Sequence, residues 1–379
     1  MLPPGGVPYC RPVIGELRSR AEALWRWPAR RRFQRELEPQ VWRAPDGEPV
    51  LSYGGAIPRE PGAIVHGGRV KLLHLRERFP ESAEFNILYL VSSAMPPHAA
   101  DLVAWAKARG VKFVWNQNGV AFPAWAGNQA RAINRPMAAL LSEADHVIYQ
   151  SVFCRESADR FLGLAPGPNS VLFNPVNLTE FVPAAMPPSV DCWQLLTAGT
   201  HHQSHRVTGP IRALSRLLDT GQEARLTVAG ELRWRNSAAE VRATLDECRV
   251  VDRVTFRPAF MQAEAAAIYG AAHLLFHPKY HDPCPTVPIE AMACGVPVIA
   301  SRSGGMPELV GDEGGALIDV LLSWNEASEP TPETMATAAR ELMQDWPARS
   351  LRARARAERL FDHRAWVDHH ARIFREVLA

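Results

Sequence analysis

Paired cysteines, long apolar runs and a signal-like start are all missing from this 379-residue chain. Its six cysteines are scattered, with no C-x-x-C spacing and no histidines at a regular spacing, which favours neither a disulfide framework nor a zinc site. No apolar run approaches the roughly 20 residues that span a bilayer, and the amino terminus lacks an apolar signal core. We therefore expect reduced thiols and a cytoplasmic protein.

An excess of charge of one sign is also missing. The 42 lysines and arginines nearly balance the 40 acidic residues, so a net charge of +2 predicts no nucleic-acid partner. No D-x-D loop follows a strand in the first half, and the histidines of the run THHQSHR have no carboxylate partner. We expect no metal and no cofactor.

The first sixty residues depart from this even composition. Residues 11–43 are rich in arginine and tryptophan, and the spacing of Leu17, Ala21 and Leu24 predicts a helix. The favoured interpretation is a solvated helix whose arginine stems cover apolar surface. The alternative is a peripheral contact with anionic lipid at the inner membrane face, or with an acceptor glycan.

Apolar runs alternate with helical patterns along the rest of the chain. FNILYLVSS, VKFVWNQNG and HVIYQS in the first half, and WQLLTAGT, ARLTVAG and VPVIAS in the second, are typical of buried parallel strands. Strands separated by helices predict parallel sheets with right-handed crossovers. The prolines of residues 183–188 mark a linker, so the sequence predicts two domains.

The stretch from His277 to Gly315 is the densest in functional signals. A helix is predicted from about Thr286, and a glycine turn at Gly304 and Gly305 precedes another helix. The first turn of a helix offers unpaired N–H donors and a partial positive charge, so both helix starts suit phosphate. An ordinary tight turn is the alternative for the two glycines.

Glu290 lies inside the apolar run IEAMACGVPV of this stretch. A carboxylate in such a run is costly without a partner. Two interpretations stay open from the residues alone: a capping or salt-bridge role, or a hydrogen bond to vicinal hydroxyls such as those of a ribose.

The run DPCPTVPIEAMACGVPVIASRSGGMPELV resembles the donor-site signature of family 4 glycosyltransferases, which are retaining enzymes of GT-B fold. That signature has two acids separated by seven residues, here Asp282 and Glu290. The resemblance implies an α/β architecture with two Rossmann-like domains facing across a cleft. Residues 1–182 would form the acceptor-side domain and 191–358 the nucleotide-sugar domain, with a terminal helix of about 360–379 packing back on the first.

The resemblance also implies roles for individual residues. Asp282 and Asn118 take the catalytic positions, although the family usually has glutamate at the first and histidine at the second. Thr200 replaces an expected arginine, and Arg206 stands near the position of an expected lysine. The donor-binding set that the resemblance implies is Gly67, Gly68, Gly199, Thr200, His205, Arg206, Arg257, Pro258, Thr286, Val287, Glu290, Gly304 and Gly305.

The expected activity is metal-independent, retaining transfer of a sugar from a nucleotide-diphosphate sugar in bacterial polysaccharide biosynthesis. The acceptor would be a glycan, a lipid-linked glycan or a small molecule. A nucleotide-sugar 2-epimerase of the same fold is one alternative. A catalytically silent nucleotide-sugar binder is another, because Asp282, Asn118 and Thr200 all depart from the family pattern.

Overall fold

The computed structural model describes residues 31, 47–55, 68–96 and 98–379. Gly67 and, apart from Arg31, the arginine- and tryptophan-rich segment of residues 11–43 lie outside the described residues. Within them, the chain forms two separate, fully parallel sheets, each flanked by helices.

The first sheet contains five strands that are neighbours in chain order. Continuous burial of the runs predicted to be strands, such as ILYLV, explains why they form the centre of the sheet. The strands are β1 (Leu51–Ser52), β2 (Ile87–Val91), β3 (Lys112–Gln117), β4 (His146–Tyr149) and β5 (Asn169–Val171). The helices of this half are α1 (Gly68–Arg78), α2 (Ala99–Lys107), α3 (Pro123–Ala126), α4 (Ala130–Leu141) and α5 (Val152–Phe161).

The second sheet has six strands in the order β11-β10-β9-β6-β7-β8. These are β6 (Trp193–Ala198), β7 (Ala224–Ala229), β8 (Val254–Arg257), β9 (Leu274–His277), β10 (Val298–Ser301) and β11 (Gly315–Ile318). The flanking helices are α6 (His205–Asp219), α7 (Ser237–Cys248), α8 (Gln262–Gly270), α9 (Thr286–Ala293), α10 (Met306–Val310) and α11 (Pro332–Gln344). The winding direction reverses between β6 and β9, and ligands of such sheets bind outside the carboxyl ends of the strands at this point.

The last two helices belong to different halves. Helix α12 (Trp346–Leu360) buries Ala353 and Ala357 in the core of the second half. Helix α13 (His363–Leu378) instead packs Trp366 and Phe374 into a core of the first half, together with residues of α1 and β2. The end of the chain therefore returns to the first half.

Direct hydrogen bonds join the two halves next to the loop that follows β9. The Ser151 hydroxyl donates to the Pro283 carbonyl over 2.8 Å. The Glu308 carboxylate, from the second half, accepts the Val152 and Phe153 N–H groups over 2.7 and 2.8 Å. Glu308 thus caps the start of α5 from across the interface, where the helix dipole favours negative charge.

A second connection is made by residues 319–331, the segment between β11 and α11, which we call the strap. The Ser323 N–H donates to the Tyr280 hydroxyl over 2.6 Å, which fixes the strap to the second half. The Ala124 N–H donates to the Trp324 carbonyl over 2.8 Å, which fixes it to the first. The Trp324 ring stacks on Phe153 at 5.4 Å between centroids. Its other ring neighbours are Phe122, Phe161 and His281.

Among the described helices, none is long and apolar enough to cross a bilayer.

The cap on α5 gives a test of the contact between the halves. We expect Glu308→Ala to lower the free energy of unfolding by about 1–2 kcal/mol, because two helix N–H groups lose their acceptor. The control is Glu247→Ala, which removes an exposed pair with Arg212 and should cost less than about 1 kcal/mol. Urea denaturation followed by tryptophan fluorescence measures both. Equal, small losses would contradict the capping role.

Candidate functional site

The carboxyl ends of β6 and β7 meet at two glycines. Gly199 and Gly230 both have positive φ, at +104° and +115°, and a Cβ on Gly230 would overlap the Gly199 carbonyl. A Cβ on Gly199 would lie 3.5 Å from a methyl group of Val287 and 4.0 Å from the Arg206 guanidinium. The structure therefore brings three predicted donor-binding residues together at the switch point of the second sheet.

Arg206 lies in the first turn of α6 and is only 7% exposed. Its guanidinium donates to the Thr200 carbonyl over 2.7 Å. Within the described part of the chain, no carboxylate lies at ion-pair distance from it. Burial lowers the pKa of Arg206 and the more distant Asp282 carboxylate opposes that effect, but a guanidinium stays charged. A buried cation without a counter-charge favours an anionic ligand.

Asp282 follows β9 and is 4% exposed. Its Oδ2 atom is 3.0 Å from both His277 Nε2 and Lys279 Nζ. Burial alone would raise the pKa of Asp282, but the Lys279 ammonium and the His277 imidazole outweigh it and hold that pKa well below its usual range. The carboxylate is therefore ionised at neutral pH, and among the described residues nothing donates to Oδ1.

Glu290 is buried inside α9, where neutral groups hold both of its oxygens. Gln262 donates to Oε1 over 2.9 Å and Tyr269 to Oε2 over 2.8 Å. Burial raises the pKa of Glu290. Among the described residues, no cation lies at ion-pair distance from Glu290, and its partners are the neutral Gln262 and Tyr269 side chains. Each oxygen keeps a lone pair that a ligand hydroxyl can use, and the ribose interpretation stays a prediction.

The glycine turn before α10 packs directly on protein backbone. A Cβ at Gly304 would overlap the Asp282 backbone, and one at Gly305 would overlap the Pro283 carbonyl. The Gly305 N–H donates to the Asp282 carbonyl over 2.9 Å. The Gly305 N–H is thus already used within the protein, and donor binding by Gly305 stays a prediction. Gly304 stays a predicted phosphate donor.

The start of α9 is the more open of the two predicted helix starts. Pro285 precedes the helix in extended conformation, and the Thr286 and Val287 N–H groups have no acceptor among the described residues. Since Val287 also lies beside Gly199, these donors and the Arg206 cation share one end of the cleft.

The other predicted donor-binding residues lie around this centre. His205 points to the strap, with its Nδ1 atom 2.7 Å from the Glu329 carboxylate, so the expectation that no histidine of this run has a carboxylate partner is wrong. Arg257 and Pro258 are exposed at the carboxyl end of β8. Gly68 begins α1 in the first half, where a Cβ would overlap Ser93 and Val91.

Asn118 faces the cleft from the first half, at the end of β3. Its Oδ1 atom accepts hydrogen bonds from Lys71 over 3.0 Å and from Gln150 over 2.5 Å. Because two donors face this oxygen, the amide orientation is fixed and the NH₂ group points to the Ser93 hydroxyl. Asn118 therefore offers a donor to the cleft.

Lys71 is a functional candidate that the sequence analysis missed. It is 3% exposed, and besides Asn118 its ammonium donates to the Asn116 side chain over 2.8 Å. Burial lowers the pKa of Lys71 to about 7. The sequence gives little local signal for this role, because Lys71 is seen to share the buried side of α1 with Leu72 and Leu75 only in the folded structure.

Two adjoining cavities lie in the cleft between the halves. The Arg206 cavity, of about 680 Å³, has walls from both halves that include Arg206, His202 and Gln129. The Asn118 cavity, of about 380 Å³, lies mainly in the first half. Lys279, also missed by the sequence analysis, lines both cavities and so lies between the predicted phosphate and sugar positions.

In the described residues, no group of three or more His, Cys, Asp or Glu side chains could hold a metal ion.

Residues 190–357 match the family model described as Glycosyl transferases group 1. A D-inositol 3-phosphate glycosyltransferase of Segniliparus rotundus is 36% identical over 116 residues, which cover 30% of this chain and 25% of that protein. The enzyme of the same name from Thermobifida fusca is 28% identical over 195 residues, covering 48% and 45%. The chain thus spans between a quarter and a half of the length of these two curated relatives.

Solved structures resemble almost the whole described chain. Sucrose-phosphate synthase from Thermosynechococcus elongatus superposes with a TM-score of 0.60 at 20% identity, covering 86% of this chain and 88% of that one. Anabaena Alr3699/HepE in complex with UDP-glucose gives 0.65 at 16% identity, covering 85% and 97%. The predicted GT-B fold, with two parallel-sheet α/β halves, is confirmed.

The burial of Lys71 gives a pH dependence of stability. Between about pH 7 and its unfolded pKa of about 10.4, the unfolded chain keeps a proton that the folded chain has released. This group therefore makes the free energy of unfolding rise with pH in that window, by at most about 1.4 kcal/mol per pH unit. Lys71→Met should remove this slope.

Thermal melting of the wild type and of Lys71→Met at a series of pH values between 7 and 10 measures the slope. Lys107→Met, at an exposed lysine near Glu143, is the control and should keep the wild-type slope. Parallel curves for the wild type and Lys71→Met would contradict the lowered pKa of the buried Lys71.

Proposed function

We propose that this protein is a glycosyltransferase that moves a sugar from a nucleotide-diphosphate sugar to a hydroxyl acceptor, without metal and with retention of configuration. The observation that carries the proposal is the buried Arg206 cation, unpaired by any described carboxylate, beside the free N–H groups at the start of α9. The match of residues 190–357 to group 1 glycosyltransferases supports it. So does the likeness of the fold to a structure that contains UDP-glucose.

The diphosphate of the donor would occupy the Arg206 end of the cleft. Negative charge grows on the diphosphate as the glycosidic bond breaks. Fixed donors in a water-poor site stabilise that charge more in the transition state than in the ground state. The Arg206 guanidinium and the Thr286 and Val287 N–H groups are donors of this kind.

The transferred sugar would lie between Asp282 and Asn118. The ionised Asp282 carboxylate has a free oxygen that can accept a sugar hydroxyl, and Lys279 holds the carboxylate in place. Asn118 presents its NH₂ group from the opposite half. One acceptor and one donor on opposite sides of a ring can orient it for attack.

Neither of these two side chains suits proton abstraction. An amide has no basic site at neutral pH, and the low pKa of Asp282 makes it a weak base. We therefore assign the acceptor's proton to a phosphate oxygen of the leaving group, whose basicity rises as the bond breaks.

The 2-epimerase alternative is not favoured, because the family match and the curated relatives are glycosyltransferases. Turnover of the donor distinguishes the other two alternatives: a transferase releases nucleoside diphosphate, whereas a catalytically silent binder binds the nucleotide sugar without releasing it.

The test is a screen of UDP-, GDP-, ADP- and dTDP-sugars in the presence of EDTA, read by thermal shift and by release of nucleoside diphosphate. We expect one nucleotide class to stabilise the protein and to be released. Arg206→Met should lower kcat/KM for release by about 100-fold or more, since a transition-state donor is lost. Arg212→Met, at an exposed arginine on the same helix, should keep wild-type rates.

Each other outcome has a distinct meaning. Binding without turnover, with or without hydroxyl acceptors, would favour the silent binder. Stabilisation by no nucleotide sugar would overturn the assignment of the cleft. Equal rates for Arg206→Met and Arg212→Met would overturn the role of Arg206.

A further inference from the structure

The Asn118 cavity has mostly apolar walls. Its lining includes Val120 and Phe122 from the loop after β3, Ile133 and Met137 from α4, and Phe153 from α5. At about 380 Å³ it lies within the size range of small-molecule sites.

Two large apolar side chains stay partly open to this space. Trp125 is 57% exposed and Ile133 is 38% exposed, and both also line the adjoining Arg206 cavity. Exposed aromatic and aliphatic groups in a concave site are typical of surfaces that a ligand covers. Trp125 and Ile133 lie where the two cavities join, so a ligand that covers them would reach the proposed sugar position.

Most polar side chains around the Asn118 cavity are already engaged within the protein. Ser157 donates to the Cys154 carbonyl, Tyr280 to the Leu321 carbonyl, and Lys279 pairs with Asp282. Ser93 and Asn118 lie at the proposed sugar position, where they are hydrogen-bonded to each other, with the Asn118 amide fixed by Lys71 and Gln150. A ligand with hydroxyls on every side would leave most of them unpaired against the apolar walls, which is unfavourable. The cavity therefore fits a molecule with one polar end and an apolar body.

Free positive charge is also scarce here. Of the residues described around this cavity, Lys279 is the single charged one, and its ammonium is already 3.0 Å from Asp282 Oδ2. Burial lowers the pKa of His281 to about 4, so its ring is neutral at pH 7. A phosphorylated acceptor would find no unpaired cation among these residues. At the Arg206 end of the cleft, by contrast, the Arg206 guanidinium has no described carboxylate at ion-pair distance.

We propose that the Asn118 cavity binds the apolar part of the sugar acceptor, an alkyl or aryl group attached to a hydroxyl-bearing ring. The inference rests on the proposed transferase function and names its acceptor class. In the transfer, the acceptor oxygen bonds to the anomeric carbon and the bond from that carbon to the diphosphate oxygen breaks. The hydroxyl proton leaves with the nucleoside diphosphate. Curated relatives named for D-inositol 3-phosphate would then differ from this protein in acceptor chemistry.

The experiment compares methyl, hexyl and phenyl D-glucopyranosides with D-inositol 3-phosphate as acceptors. Product is followed by mass spectrometry, with the donor chosen by the nucleotide-sugar screen. We expect kcat/KM at least ten-fold higher for the hexyl and phenyl glucosides than for the methyl glucoside, because an added apolar chain leaves water. Trp125→Ala should reduce this hexyl-to-methyl ratio several-fold. Leu164→Ala, at an exposed position outside both cavities, should keep the ratio.

Direct binding separates a failure of this inference from a failure of the transferase assignment. Saturation-transfer NMR in the presence of UDP detects hexyl and methyl glucoside without turnover. Tighter binding of the hexyl compound, reduced in Trp125→Ala while that variant keeps its melting temperature, supports the inference even if no product forms. Equal binding of the two glucosides, or preferred transfer to D-inositol 3-phosphate, overturns it whether or not the donor is turned over.

Discussion

The backbone of Asp282 and Pro283 is packed so closely on three sides that the rest of the site depends on it. On one side a Cβ at Gly305 would overlap the Pro283 carbonyl, and on another the Pro283 ring lies 2.8 Å from where a Gly119 Cβ would stand. The Ser151 hydroxyl donates to the same carbonyl over 2.8 Å. Since Gly119 and Ser151 belong to the first half, this loop sets both the orientation of Asp282 and the separation of the two halves.

Three basic side chains described around the cleft, each buried or half-buried, are stabilised in three different ways. Lys279 has the Asp282 carboxylate, and Lys71 has amide oxygens and a pKa lowered to about 7. Arg206 has a backbone carbonyl and no described carboxylate. Desolvating a charge without a counter-ion opposes folding. Burying the Arg206 guanidinium without a counter-ion destabilises the folded state, and an anionic ligand that pairs with it would remove this cost. Functional sites commonly carry such a local cost to folding.

Sequence patterns anticipated the parts of the molecule that local physics decides. Buried runs such as ILYLV became central strands, and Glu290 fell inside the predicted helix. Local patterns could not show what packs against the turn at Gly305. A glycine is required there whether a ligand or the Pro283 carbonyl approaches the backbone closely. Nor could local patterns find Lys71, whose partner Asn116 is 45 positions away, or Trp324, which lies in a segment without periodicity. Those features exist only once distant elements meet.

The strap limits how the two halves can recombine. Trp324 belongs to the second half by chain position, but three of its aromatic neighbours, Phe122, Phe153 and Phe161, belong to the first. A chimera that joins this second half to a foreign first half would bring the tryptophan without those partners, and a large apolar ring would meet an unmatched surface. Gene fusion or domain exchange at the proline linker would therefore preserve both sheets and still lose the fit between them. The contacts of Trp324 therefore make the two halves matched partners rather than interchangeable modules.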